Sequence, residues 1–439
     1  MKYYQIALVF VLLLTIMLPG APRAATLDEL VTEALAANPE IQASAARWQM
    51  FVHKARQAGS LDDPMVMLGI DNGLVRDPLN FDRDMTTSKV IGISQMVPFY
   101  GKRALLREAA GHEAEATRWE VEERKLELAA MVRESWYRLY LADRSLEIVD
   151  RTLATLDDLV RFTEAMYGVG QGRQADVLRA QVERAKMAEM QLTLRQQRRS
   201  LEAGLNALLL RPVATAVPTI DGVELTAQPL DAATLERLAE ERRPLLRALA
   251  ARIDKSKTER ALADKEYYPD FTLSFEYMQR DRVMDDPGYD MYNASVSFNL
   301  PVQRERRRAM VAESEAARRM AEQELAMSRN NVRRTIADLL AQLERDRAMA
   351  ELYREALIPQ ATVAEASALA SYRAGKGEFM QVLDSRMTLF NIERGYYQAV
   401  AEHEMELALL EAAVGAPVGG EESGAAATGD AGGRIQNQE

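Results

Sequence analysis

Cysteine is absent from this chain of 439 residues, so disulfide bonds contribute nothing to its stability. The same absence leaves no thiol that could carry a lipid, and we expect a protein that is not lipid-anchored. Glycine and proline are scarce, with 23 and 15 residues, which excludes a low-complexity chain. The three histidines, His53, His112 and His403, are scattered and lack the spacing of a metal site.

Long hydrophobic runs are also missing. The run from Ile6 to Leu18 covers about 13 residues, which is too short for a helix that spans a bilayer. It follows Lys2 and leads to the small residues Ala24 and Ala25, a pattern that predicts a signal peptide over residues 1–25. No later segment offers about 18 uninterrupted apolar residues, so any membrane-inserted part of the mature chain would consist of strands.

The chain is acidic. Its formal net charge is −11, from 55 lysines and arginines against 66 aspartates and glutamates. No basic stripe stands out from this background, which argues against nucleic acid as a partner. The sequence also lacks a glycine-rich phosphate loop and a nucleophile paired with histidine. We therefore expect neither enzymatic activity nor a cofactor.

What the sequence does contain is an internal repeat. Five residues close to position 170 return with the same identity 205 positions later. A fixed period predicts one structural unit built twice, over residues 26–211 and 232–417. The linker 212–231 is rich in turn residues and has room for one short strand, and the tail 418–439 has the composition of a disordered segment. The repeated pairs are Tyr167 and Tyr372, Gly170 and Gly375, Gly172 and Gly377, Val177 and Val382, and Leu178 and Leu383.

Helical patterns account for most of each repeat. The run Lys102–Met166 contains about 65 residues, which corresponds to roughly 100 Å of helix. Its apolar residues alternate at spacings of three and four, which is the seam of a coiled coil. The chain reverses at Tyr167–Gly172, so the segment from Ala175 onward is expected to return as a packing partner. In the second repeat, Pro359 is expected to kink or divide the long helix. The seam residues are Leu146, Val149, Leu153, Leu156 and Val160, followed in the second repeat by Val332, Ile336, Leu339 and Leu343.

Each repeat also contains a strand hairpin, over residues 65–97 and 270–300. Apolar and aromatic residues alternate with polar ones from Phe271 to Tyr277, and a tilted strand of about ten residues is long enough to cross a bilayer. A half-buried soluble sheet would show the same period. The two hairpins have no segment to cover their apolar face, which favours lipid as its neighbour. Prolines bound both hairpins and are expected to form the turns between strand and helix: Pro64, Pro98, Pro269 and Pro301.

Four strands are too few to close a barrel, because the smallest closed membrane barrels have about eight. Open strand edges in lipid would leave backbone groups unpaired, at a cost of several kcal/mol each. The protein is therefore expected to oligomerise. Two copies would give eight strands with hardly any lumen, whereas three copies would give twelve, so we favour a trimer.

This order of helix, proline, hairpin, proline and helix resembles the outer-membrane efflux channel family, whose best-known member is the TolC channel. The resemblance extends from Thr26 to Pro417 and includes the tip motif Tyr-x-x-Gly followed by Val-Leu, at Tyr167–Leu178 and Tyr372–Leu383. It implies a fold that is mainly α with a transmembrane β-barrel. The implied assembly is a homotrimer whose twelve-stranded outer-membrane β-barrel continues into a long periplasmic α-helical barrel.

The resemblance also implies a location and a set of partners. Family members are passive exit channels of tripartite efflux systems, situated in the outer membrane of Gram-negative bacteria and extending into the periplasm. Expected partners are a periplasmic adaptor protein, an inner-membrane transporter of the RND type and outer-membrane lipid. Residues 95–102 are similar to channels of heavy-metal or drug efflux, so the cargo is open between these classes. A type I protein-secretion duct and a non-conducting trimeric coiled-coil scaffold are the alternatives.

In related channels, acidic residues after the second tip narrow the periplasmic end, which the tip tyrosine and an arginine help to hold. By position, Tyr372 matches the tyrosine and Asp384 one of the acids. Gln381 stands where a second acid is common and Gly377 where arginine is common, so this chain departs from the family pattern twice. Three copies of Asp384 would attract cations, whereas the alternative is a solvated carboxylate on a helix face. The resemblance assigns tip geometry or adaptor docking to Tyr167, Gly170, Gly172, Asp176, Gly375 and Gly377.

Overall fold

The computed structural model describes residues 26–78, 80–220, 222–226 and 231–418. The predicted signal peptide and the predicted tail from residue 419 onward lie outside these residues. The order helix, helix, hairpin, helix, helix occurs twice, which confirms the predicted duplication. The first repeat contains α1 (Leu27–Ala37), α2 (Pro39–Ala58), β1 (Met65–Asp71), β2 (Ser88–Val97), α3 (Lys102–Gly168) and α4 (Gln174–Leu208). The second contains α5 (Ala232–Arg242), α6 (Pro244–Lys265), β3 (Phe271–Arg280), β4 (Met291–Phe298), α7 (Arg304–Leu352), α8 (Ile358–Arg373) and α9 (Phe379–Val414).

Helix α3 is the longest element of the described chain. It has 67 residues, or about 100 Å at 1.5 Å per residue, which confirms the length predicted from the sequence. Val149 and Leu156 of the predicted seam are fully buried, and the other three seam residues pack against the same cluster. None of the helices that the structure describes is long and apolar enough to cross a lipid bilayer.

The long helical run of the second repeat is divided next to Pro359, as predicted. A π-helical turn over Tyr353–Leu357 separates α7 from α8. Proline has no amide hydrogen to donate to the preceding turn, and the wider π turn accommodates the missing bond. The ring of Tyr353 lies 2.7 Å from the position that a β-carbon would take on Gly395. The absence of a side chain at Gly395 therefore lets the π-helical turn pack closely on α9.

The four strands form one antiparallel sheet in the order β1-β2-β3-β4. Strands β2 and β3 come from different repeats and pair over ten residues, from Ser88 opposite Arg280 to Val97 opposite Phe271. The two hairpins are therefore joined through their inner strands. Within the described residues, β1 and β4 each have a neighbour on one side only, so the sheet of a single chain is open at both edges.

One face of the sheet is apolar across its whole width. Two rows across this face, in strand order, are formed by Leu68, Ile91, Tyr277 and Tyr292 and by Val66, Ile93, Phe275 and Ala294. The other face is largely polar, and the hydroxyls of Ser274 and Ser295 are hydrogen-bonded across it at 2.6 Å. Leu68 is 76 % exposed and Phe275 48 % exposed. The predicted alternation is confirmed, and in a single chain the apolar face is left open to its surroundings.

The chain folds into two compact units that each combine segments of both repeats. The unit that carries the sheet, here called the strand unit, consists of residues 40–124 and 238–334. The other, here called the tip unit, consists of residues 1–39, 125–237 and 335–439. The core of the tip unit is built by four helices, because α3, α4, α8 and α9 all contribute to one buried cluster. Its largest members are Ile148, Leu156, Leu159, Met187, Leu194, Leu383 and Phe390.

Buried charged side chains hold the linker between the repeats against the helices of the tip unit. Asp143 of α3 accepts a hydrogen bond from the amide of Ile220 at 3.1 Å, and Arg144 donates to the carbonyl of Ile220 at 2.9 Å. Glu404 of α9 accepts from the amide of Thr226 at 2.9 Å. The expectation of a short strand is wrong for the described part of the linker, because its backbone groups bond to helix side chains instead of a second strand.

Candidate functional site

The first chain reversal of the tip unit ends α3 with a glycine in the left-handed conformation. The amide of Gln171 donates to the carbonyl of Met166 at 2.8 Å, and the amide of Gly170 donates to that of Tyr167 at 3.0 Å. This is the bond pair of a Schellman motif, and Gly170 occupies its left-handed position with φ +75°. A β-carbon on Gly172 would lie 2.9 Å from the amide nitrogen of Tyr167, so this position also requires glycine.

The second chain reversal repeats this geometry bond for bond. The amide of Lys376 donates to the carbonyl of Ser371 at 3.0 Å, and the amide of Gly375 donates to that of Tyr372 at 3.0 Å. Gly375 has φ +71°, and a β-carbon on Gly377 would lie 3.1 Å from the amide nitrogen of Tyr372. The glycines that repeat in the sequence are therefore fixed by backbone geometry at equivalent places. The arginine that related channels carry at position 377 would be strained here by this close contact.

Tyr372 is anchored by aromatic rings from two neighbouring helices. Its ring centroid lies 5.7 Å from that of Phe162 on α3 and 5.5 Å from that of Phe379 on α9. Partial burial, and to a lesser extent the carboxylate of Asp176, raise the pKa of the Tyr372 hydroxyl above its usual value. Asp176 in the first turn of α4 therefore faces the second tip, so the residues predicted for the two tips come together. Tyr167, by contrast, is 49 % exposed.

Two opposite faces of α9 define the candidate gate. Gln381 and Asp384 are exposed, as are Thr388 and Asn391 further along the same side of the helix. Neither predicted gate residue has a side-chain hydrogen bond or an ion pair with the residues that the structure describes. The opposite side is packed into the core of the tip unit by Val382, Leu383, Leu389 and Phe390. The geometry therefore presents a free carboxylate on a helix whose other face is fixed.

Arg386 is a buried cation on the packed face of α9, and the sequence analysis missed it. Its guanidinium donates to Oε1 of Glu365 on α8 at 3.3 Å and to the hydroxyl of Thr152 on α3 at 2.9 Å. The side chains of Arg386 and Glu365 are only 9 % and 17 % exposed, so this ion pair is largely shielded from water. The available signal was a charged residue within the apolar stripe of α9. Arg386 thus ties the helix that carries Asp384 to two neighbouring helices.

The four prolines predicted at strand–helix turns lie at or within three residues of a strand end. Pro64 directly precedes β1 and Pro98 directly follows β2. Pro269 and Pro301 occupy the corresponding places before β3 and after β4. A lysine just inside α3 fastens one such turn, because the ammonium of Lys102 lies 3.0 Å from the carboxylate of Asp270. These prolines belong to the strand unit and have no part in the tip geometry.

The outer membrane efflux protein family model matches the chain over residues 30–209 and 235–416. No match was found among curated proteins. The outer membrane protein VceC from Vibrio cholerae is similar in structure, with 20% identity, a TM-score of 0.75, and 89% of this chain and 96% of that chain covered. The CmeC outer membrane channel of Campylobacter jejuni gives 13% identity and a TM-score of 0.76 over 89% and 85% of the two chains.

The MtrE outer membrane channel of Neisseria gonorrhoeae, solved in its open state, gives 16% identity and a TM-score of 0.74 over 90% and 89% of the chains. At these identities the likeness to solved structures establishes the fold alone. The family model, however, covers most of both repeats. The chain therefore belongs to the outer membrane efflux protein family.

Proposed function

We propose that three copies of this chain form the passive outer-membrane exit channel of a tripartite efflux system. The observation that carries the proposal is a sheet with an exposed apolar face and two open edges, in a chain of the outer membrane efflux protein family. Lipid tolerates the apolar face, but it cannot satisfy the backbone groups along β1 and β4. Joining β4 of one copy to β1 of the next closes twelve strands and removes every edge.

The helices of the tip unit support assembly from several copies. On α4, the apolar residues Leu178, Val182 and Leu192 are each more than half exposed. Their spacings of four and ten are those of one coiled-coil seam, and this seam lies away from the buried Met187. A second exposed apolar face contains Leu352 and Val363, at 55 % and 70 % exposure. Apolar stripes of this kind are typical of helix faces that pack against a neighbouring copy.

The tip unit supplies the proposed periplasmic gate. In a threefold assembly, the exposed faces of three α9 helices would surround one axis and bring three Asp384 carboxylates together. Like charges at close range attract cations and repel anions, so the closed end would favour cations. Gln381 contributes no charge to this ring, and Tyr372 positions the second tip beside it. The gate would therefore be less acidic than one with two carboxylates per copy.

The chain reversals are the proposed contact surface for a periplasmic adaptor protein. Tyr167 and Val169 of the first tip are 49 % and 69 % exposed. An exposed aromatic residue on a rigid turn is typical of a protein contact. The adaptor would connect the channel to an inner-membrane transporter of the RND type, which supplies the energy and selects the cargo. We propose small toxic compounds as cargo, either drugs or heavy-metal cations.

Planar bilayer recordings of the purified full-length protein test this proposal. A channel predicts stepwise, ohmic conductance, together with particles of threefold symmetry in electron micrographs of the detergent extract. A coiled-coil scaffold predicts intact trimers that conduct no ions. A type I secretion duct would conduct, but a deletion strain carrying it would fail to secrete a protein and would keep its resistance to drugs and metals. Monomeric, non-conducting protein would refute the proposal.

A further inference from the structure

Aromatic and basic side chains lie side by side where the strands of the strand unit meet its helices. The rings of Phe99, just after β2, and Tyr268, just before β3, are stacked with centroids 4.5 Å apart. The ammonium of Lys265 lies 5.5 Å from the centroid of Tyr268 and 5.7 Å from that of Phe99. Tyr100 is 88 % exposed beside them. This combination begins where the apolar face of the sheet ends.

Several cations of this junction are satisfied within the chain. Lys102 is buried between the carboxylates of Asp270 and Glu266, at 3.0 and 3.1 Å. Arg103 donates two hydrogen bonds to the carbonyl of Gly59. Arg307, near the start of α7, donates to the carbonyl of Glu266 at 2.7 Å and so holds the first turn of α7 against the end of α6. These residues hold the junction together.

Arg304 and Arg306 in the same turn of α7 are exposed and have no such role. Within the residues that the structure describes, neither guanidinium has a hydrogen-bond acceptor or an acidic partner, and the ammonium of Lys265 also lacks a carboxylate. The amino-terminal turn of a helix disfavours cations, since its own dipole is positive there. Interactions within the chain therefore do not account for these charges, whereas an external anion would.

We propose that Lys265, Arg304 and Arg306, with the exposed rings of Tyr100 and Tyr267, form a docking surface for phosphate groups of anionic phospholipid. The inference rests on the proposed function, which places the sheet in the outer membrane and this junction at its periplasmic surface. Exposed Leu300 and Val302 continue the apolar surface up to the arginines, so a lipid could place its chains and its headgroup on adjoining parts of the protein. Aromatic belts and adjacent cations are the features that proteins present to the headgroup layer.

The test uses native mass spectrometry of the full-length protein in detergent. It is titrated with dioleoyl phosphatidylglycerol and, separately, with dioleoyl phosphatidylcholine. Each cation near a membrane surface contributes about a fivefold change in affinity for anionic lipid. The Arg304→Gln/Arg306→Gln variant should therefore bind phosphatidylglycerol about 10- to 30-fold more weakly and phosphatidylcholine almost unchanged. The matched control is Arg195→Gln/Arg199→Gln, two exposed arginines of α4, which should bind both lipids like the wild type.

Two further arms separate the possible outcomes. Arg304→Lys/Arg306→Lys keeps the charge and should keep the preference for phosphatidylglycerol, and inorganic phosphate at millimolar concentration should not displace the lipid. Unchanged phosphatidylglycerol binding by the glutamine variant, or displacement by inorganic phosphate, would overturn the inference. Bilayer conductance of the wild type is recorded in parallel. A conducting wild type without this lipid preference contradicts the docking surface only, whereas a wild type that does not conduct contradicts the channel.

Discussion

The ion pair between Arg386 and Glu365 offers the sharpest test of how the gate helix is held. Replacing Arg386 with methionine keeps most of the side-chain volume but removes the guanidinium from both Glu365 and Thr152. Breaking one partner of a buried ion pair typically costs about 3–5 kcal/mol, because the other charge is left uncompensated. Glu365 retains 17 % exposure and its contact is 3.3 Å long, which places the cost near the lower end. We expect about 2–3 kcal/mol.

Hydrogen exchange of the backbone amides measures this cost locally. The protection of residues 382–390 on α9 should fall by about 30- to 150-fold, which corresponds to 2–3 kcal/mol, while α4 keeps its protection. The control is Arg179→Met, which removes an exposed arginine of α4 from the same unit and should leave α9 unchanged. The loosened gate helix is also expected to raise the open fraction of the channel in bilayer recordings.

A double variant decides whether the uncompensated charge is the cause. Replacing both partners, Arg386→Met with Glu365→Met, removes the buried charges together, and such replacements are often neutral or stabilising. The double variant should therefore recover most of the lost protection. If the single variant changes protection by less than twofold, or if the double variant is no better than the single one, the ion pair does not hold α9 and the reasoning is wrong.

Three other changes test separate features of the tip unit. Asp384→Asn should lower the cation preference of the channel in bilayer recordings under a salt gradient, and unchanged selectivity would remove Asp384 from the gate. Gly375→Ala should destabilise the second tip by about 1 kcal/mol because of its left-handed backbone, seen as a lower melting temperature, whereas Gly168→Ala in a helix should not. Burial and then the charge of Asp346 raise the pKa of Glu406 to about 8, so its stabilising contribution is complete below about pH 4.5 and is lost as the pH rises through 8. Melting temperatures from pH 5 to 9 should thus fall less for Glu406→Gln than for the wild type, and parallel curves would exclude this role.

Local backbone rules were sufficient to predict the reversals of the chain. Gly170 and Gly375 end helices in the left-handed conformation, and this requirement is visible in the sequence as glycine after a long helical pattern. The strand faces were equally accessible, because a period of two assigns each side chain to one side of the sheet. These features depend on neighbouring residues only, so a single sequence contains the information.

Contacts between distant segments were not accessible in this way. Arg386 lies in an apolar stripe whose periodicity assigns it to the core, but its partners are 21 and 234 residues away along the chain. The linker was missed for the same reason, since its backbone is held by Asp143 and Glu404 from two separate helices. Without these partners in view, turn-rich residues beside a few apolar ones are equally consistent with a short strand.

The two tips share one backbone but differ in how their tyrosines are used. Tyr372 packs against Phe379, whereas the position equivalent to Phe379 in the first repeat is occupied by Gln174, and Tyr167 stays half exposed. The buried Arg386 likewise has an uncharged counterpart at the equivalent position of the first repeat. Duplication therefore supplied two identical turns, and substitutions around them left one anchored in the core and the other open to solvent. This difference is the physical basis for assigning the gate to the second tip and the adaptor contact to the first.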